Sequence, residues 1–143
     1  MKNSLKTLLT VIIVMAAFLL LSNLFGGLSI GINFGDDAFR VSASKDYSVS
    51  VNYDEIKSVE LVTIAENHGE ILSGGENRRF AWGQRKNENL GTYSLYISKK
   101  FDSAVKITTL DNTVIIFNYE NEDTTTSIVP MFQELLANRG QSK

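Results

Sequence analysis

Residues 114–119 read VIIFNY, with Ile115, Ile116 and Phe117 consecutive. A strand with this wording is apolar on both faces and needs a second layer of structure over it. The chain supplies that layer just downstream. From about Asp123 the period changes, and Ile128, Val129, Phe132, Leu135 and Leu136 recur as one stripe. That spacing predicts an amphipathic helix of about four turns. Residues 123–126 offer an N-cap, and Gly140 stands where a helix would stop. Pro130 costs about 3 kcal/mol in a helix interior, which predicts either a start of regular helix near Ser127 or a kink at the proline.

Upstream of this strand the period is two. Phe39, Val41 and Ala43 alternate with polar residues, as do Tyr47, Val49, Val51 and Tyr53, and Lys45-Asp46 between them reads as a hairpin turn. Residues 56–64, IKSVELVTI, are a third strand by their β-branched content. Residues 65–75 contain His68-Gly69 and Gly74-Gly75 and read as loop. Residues 78–84 form a short fourth strand, followed by a polar turn at 85–90. Residues 91–98 place Tyr93, Leu95 and Ile97 on one side and Ser94, Tyr96 and Ser98 on the other. Residues 104–109 and 113–119 flank the turn Leu110-Asp111-Asn112.

Seven short strands followed by one helix define a mainly β fold. A sheet this small cannot leave open edges and a double-faced strand in water. Curling into two sheets, with the helix plugging one open corner, predicts a partly open seven-stranded barrel capped by a C-terminal helix.

The N-terminus belongs to another solvent. No ionisable residue occurs between Lys6 and Asp36, and residues 8–21 read LLTVIIVMAAFLLL. About 20 helical residues cross a hydrocarbon core of roughly 30 Å, and residues 4–25 meet that length before Gly26-Gly27. Only Thr7 and Thr10 interrupt the apolar surface, so no polar stripe marks a soluble amphipathic helix. A cleaved signal peptide is the alternative, releasing a small secreted domain, with Gly27-Leu28-Ser29 as a poor cleavage site. Lys2 and Lys6 precede the segment while Asp36 and Asp37 follow it, which predicts a single-pass anchor in the cell membrane, N-terminus inside and domain extracytoplasmic. The expected organisation is an anchor at 1–27, a linker at 28–37, a β domain at 38–138 and a tail at 139–143.

Composition removes several function classes. The 143 residues include no cysteine and one histidine, with a formal charge of −2. Disulfide frameworks, thiolate zinc sites and cysteine nucleophiles are excluded. Without Lys2 and Lys6 the remainder stands at −4, which opposes nucleic acid and a polybasic lipid patch. Glu66, His68 and Glu70 would share one side of an extended segment, but Gly69 and the lack of a fourth ligand argue for a solvated loop and no metal. Arg78, Arg79, Arg85 and Lys86, interleaved with Phe80 and Trp82, form the densest basic patch. Arg78, Arg79, Trp82, Arg85 and Lys86 are therefore the candidate contact residues for an acidic partner. The carboxylate pairs at Asp54-Glu55 and 120–123 lie in polar strand ends; they leave a small carboxylate-based enzyme as an alternative. With no Gly-x-Ser-x-Gly and no cofactor motif, no catalytic residue is assigned.

Residues 51–61 (VNYDEIKSVEL), 91–96 (GTYSLY), 115–118 (IIFN) and the helix at 125–136 together resemble the bacterial pleckstrin-homology (PH) domains found behind membrane segments. The resemblance covers about residues 39–137. It implies a PH-like fold and a binding or assembly module without catalysis or cofactor, engaging a protein partner or a second copy. The headgroup recognition of some family members uses basic residues in the first hairpin loop. Here that loop offers only Lys45 beside Asp46, so phosphoinositide binding is not expected.

Overall fold

The computed structural model describes residues 11–17 and 28–141. Residues 11–17 are helical, and all seven side chains are exposed. The rest of the expected anchor lies outside the described residues. Among those described, no helix is long and apolar enough to cross a membrane.

Two sheets and one long helix make up the domain. The first sheet is an antiparallel meander of β1 (Gly31–Phe34), β2 (Ala38–Ser42) and β3 (Ser48–Asn52). Strands β2 and β3 pair Ser42 with Ser48 and Ala38 with Asn52, the hairpin expected around Lys45-Asp46. Residues 31–34, expected within a linker, are instead the edge strand of this sheet. Their apolar Ile32 and Phe34 pack toward the core, a role too short and glycine-punctuated to stand out in sequence.

A single 3-10 turn, Tyr53–Glu55, leads into the second sheet. This contains β4 (Ile56–Thr63), β5 (Glu70–Ile71), β6 (Gly75–Glu76), β7 (Phe80–Asn87), β8 (Gly91–Ser98), β9 (Ser103–Thr109) and β10 (Val114–Phe117). The order is β4-β9-β10-β8-β7-β5, with β6 also on β7. Strand β10 runs parallel to β8 and antiparallel to β9. The mainly β architecture with two sheets and a covering helix is as expected, but in place of a partly open seven-stranded barrel there are a three-stranded and a seven-stranded sheet with no closed barrel. The fourth strand runs to Asn87, through three residues expected as turn.

All four residues of β10 are buried, and the two faces belong to two cores. Ile115 and Phe117 join Phe39, Val41, Val51, Val105 and Ile107 between the sheets. Val114 and Ile116 join Ala81, Tyr93, Leu95, Ile97 and Ala104 on the reverse face of the large sheet. Asn118, fully buried where β10 ends, continues the pairing with its side chain. Its Oδ1 accepts the Ser98 N–H at 2.7 Å, and its Nδ2 donates to the Ser98 and Ser103 carbonyls at 3.0 and 3.2 Å. A buried amide is tolerated only when so satisfied.

The C-terminal helix, Glu122–Gln141, covers the core between the sheets. Ile128 and Phe132 are its buried residues of the expected stripe. The Phe132 ring meets Phe39 edge-on at 5.1 Å and Phe34 at 5.6 Å. The helix starts before the expected cap: Asn121 Oδ1 accepts the Thr124 N–H at 3.1 Å. It also continues through Gly140, so residues 139–141 are helix rather than tail. Pro130 lies within it on an exposed face, where water can reach the carbonyl that its missing N–H leaves unpaired. Arg139 fastens the last turn. Its guanidinium lies 5.0 Å over the Tyr53 ring and bonds Asp54, Asp37 and the Asp36 carbonyl at 3.1, 3.2 and 2.8 Å.

Candidate functional site

Strands β4 and β5 sit at opposite edges of the large sheet, and the connection between them crosses its reverse face, where Ile64 packs against the second core. Thr63 lies level with Ser103 at one end of the sheet, and Glu70 pairs with Lys86 at the other. Residues 64–69 therefore form a diagonal strap, and six residues must run almost extended to make the crossing. At its start the Ile64 N–H bonds the Asp102 carbonyl at 2.6 Å. Near its end the Tyr93 hydroxyl donates to the His68 carbonyl at 2.6 Å.

Beyond the strap, residues 70–76 run along β7 as an edge ribbon, bent where Gly74 faces Gly83. Both have positive φ, +82° and +98°, and a Cβ on either would meet backbone oxygen of the other segment at 2.2 or 2.3 Å. Only glycine allows this approach. The bend carries Glu76 to a cluster of basic groups. Arg85 Nη1 lies 3.3 Å from one carboxylate oxygen, while His68 Nδ1 at 3.2 Å and Lys99 Nζ reach the other. Arg85 also donates to the Gly75 carbonyl at 2.7 Å, and its Nε has no partner among the described residues. Its side chain is 1% exposed, against 31% for Glu76. The hydrogen bond from Lys99, then His68 and Arg85, hold the Glu76 carboxyl below its ordinary pKa against the opposing effect of burial.

Between strap and sheet lies a cleft of about 260 Å³. Val62, Ile64, Leu90, Leu95 and Ile116 give it an apolar floor, and Thr63, Asn67, His68, Asn87, Asn89, Tyr93 and Lys106 are its polar members. Burial raises the Tyr93 hydroxyl above its usual range, so it remains a proton donor at neutral pH.

The residues expected as a basic patch do not come together. Alternation along β7 turns Trp82 and Lys86 to one face and Arg85 to the other. Trp82 packs against the core between the sheets, while Arg85 is the buried partner of Glu76. Arg79 is exposed, 3.9 Å from Glu120 and over the Phe80 ring; Arg78 is exposed in the preceding bend. His68 meets Glu76 rather than Glu66 or Glu70, and no cluster of three metal-ligating side chains occurs among the described residues. The Glu76 cluster escaped sequence reading because its members come from four segments. The only local hint was a histidine beside glycine.

A second cleft, about 380 Å³, opens where β3 approaches the β9–β10 turn. Val49, Val51, Leu110 and Ile115 line it, with Glu55 and Asp111. Among the described residues β3 pairs with β2 alone.

No protein-family model, curated protein sequence or solved structure matches the chain.

Proposed function

We propose that the chain is a membrane-anchored, non-enzymatic PH-like module that binds an extended segment of a partner protein along the free edge of β3. That edge is the supporting observation. Its sequence, SVSVN, carries no charge, proline or bulge, the devices that normally keep an edge strand from pairing. The other long edge, β4, has Lys57, Glu60 and a register shift between Ile56 and Ser58. Beside β3, Leu110 is 65% exposed, and Glu55 and Asp111 are the charged groups of the cleft. Strand addition would satisfy the edge backbone, and the cleft would take an apolar side chain and a basic one. The order of strands followed by a covering helix supports the PH-like reading.

Anchoring rests on residues 4–25 and on the helical stretch 11–17, whose Val11, Ile12, Ile13, Val14 and Met15 are 49–62% exposed. So continuous an apolar surface is costly in water and favourable in a bilayer. Lys2 and Lys6, both before the segment, support an extracytoplasmic domain.

A photo-crosslinking amino acid at Ser50 of the full chain, activated in intact membranes, tests both parts. The expected result is a discrete protein adduct absent with the same probe at Lys57, from a chain that resists alkaline extraction. Solubilisation by alkali would overturn the anchor; no adduct at position 50, or equal adducts at both positions, would overturn the β3 surface.

A further inference from the structure

The cleft beneath the strap lies on the opposite side of the large sheet from the core that packs against β3, and the proposed partner surface makes no use of it. Its volume equals that of about nine waters at ~30 Å³ each. Close-packed interiors seldom leave such a space beside aliphatic side chains, and ligand pockets begin at roughly this size. The floor is hydrocarbon: Ile64 from the strap, Leu95 from β8, Ile116 from β10 and Val62 from β4.

Lys106 is the charged residue of the lining, and no carboxylate lines the cleft among the described residues; His68, whose Nδ1 faces Glu76 at 3.2 Å, three asparagines, Thr63 and Tyr93 are its other polar members. The nearby acids Glu60, Glu66 and Glu88 are exposed and stand outside the lining. Lys106 Nζ is 3.4 Å from Glu60, whose side chain is 54% exposed. A pair so open to water is weak, and Lys106 can turn to a better-buried anion. Asn67 has its Oδ1 occupied by the Gly69 N–H, which leaves its amide NH₂ as a donor, whereas Asn87 is engaged by the Leu90 N–H and the Tyr93 hydroxyl.

We propose that this cleft binds a small amphipathic carboxylate, with its short hydrocarbon part on Ile64, Leu95 and Ile116 and its carboxylate toward Lys106. The strap forms one wall, so occupancy also holds residues 64–69 against the sheet.

The composition provides its own reporters. The only histidine, His68, lines the cleft, and the only tryptophan, Trp82, faces the other side of β7. Isotope-labelled full-length protein in detergent micelles, at fixed pH, is titrated with hexanoate, hexanol and hexylammonium while both ring resonances are followed. Hexanoate is expected to shift the His68 signal saturably and leave Trp82 in place, with hexanol weaker and hexylammonium without saturable effect. Lys106→Gln should weaken hexanoate about tenfold and leave hexanol unchanged, while Lys106→Arg should retain the preference. Absence of a saturable His68 shift would overturn the site. Equal responses to all three probes, or a matching shift at Trp82, would overturn the carboxylate assignment.

Discussion

The phenolic hydroxyl of Tyr93, in the middle of the large sheet, donates to the backbone carbonyl of His68 at 2.6 Å across 25 residues of chain. One side-chain hydrogen bond thus ties the strap to the face that it crosses. Removing it should free the strap before it weakens the domain. Tyr93→Phe keeps the ring in the reverse-face core and loses the bond, at a cost of about 1 kcal/mol. Hydrogen exchange should rise in residues 64–69 and remain unchanged in β9 and β10.

Glu76 and Arg85 form an unequal pair, because the arginine is sealed from water and the glutamate is partly solvated. Glu76→Gln leaves a buried guanidinium with its Nε already unpartnered and should cost about 2–3 kcal/mol. Arg85→Met leaves Glu76 with Lys99, His68 and water, and should cost less. Denaturant unfolding followed by Trp82 fluorescence would order the two variants; the reverse order would show that the cluster is held by the carboxylate's needs.

Acid should act through the same residue. The folded-state pKa of Glu76 is lowered by its basic neighbours, so its contribution to stability is complete above the unfolded value, about 4.5. It is lost as pH falls from there through the lower folded value. Stability should therefore hold from neutral pH to about pH 5 and decline below it. The decline should be shallower in Glu76→Gln, measured by denaturant midpoints across that range.

Gly83 has a positive φ, and an added Cβ would meet the Ser73 carbonyl oxygen at 2.3 Å. Gly83→Ala should detach the ribbon of residues 70–76 from β7, costing at least about 1–2 kcal/mol. Gly140→Ala, in the helix with open space around it, should be stabilising by a few tenths to about 1 kcal/mol. Thermal unfolding midpoints moving in opposite directions would confirm the contrast.

Phe132 is fully buried between Phe34, Phe39 and Tyr53. Phe132→Ala should cost about 3–5 kcal/mol and increase exchange in both β1 and the helix. A loss confined to the helix would mean that β1 holds its place without it.

Alternation and helical period were enough to foresee the β2–β3 hairpin, β4, β8, the β9–β10 hairpin and the covering helix, because each buries a face whose period is written locally. The two-sided burial of β10 was equally legible, since Ile115, Ile116 and Phe117 leave no polar face. Other features had no local signature. Strand β1 is four residues long, and β5 and β6 are two each; they exist only because a neighbouring strand offers backbone partners. The sequence marked Arg85 and Lys86 as adjacent basic residues, but strand geometry sends neighbours to opposite faces. The fold then buries Arg85 against Glu76 and leaves Lys86 in water. Periodicity reports which face of an element is apolar, whereas the strap, the charge cluster and the cleft depend on which elements lie side by side. That pairing is decided by long-range contacts, and only the assembled structure contains them.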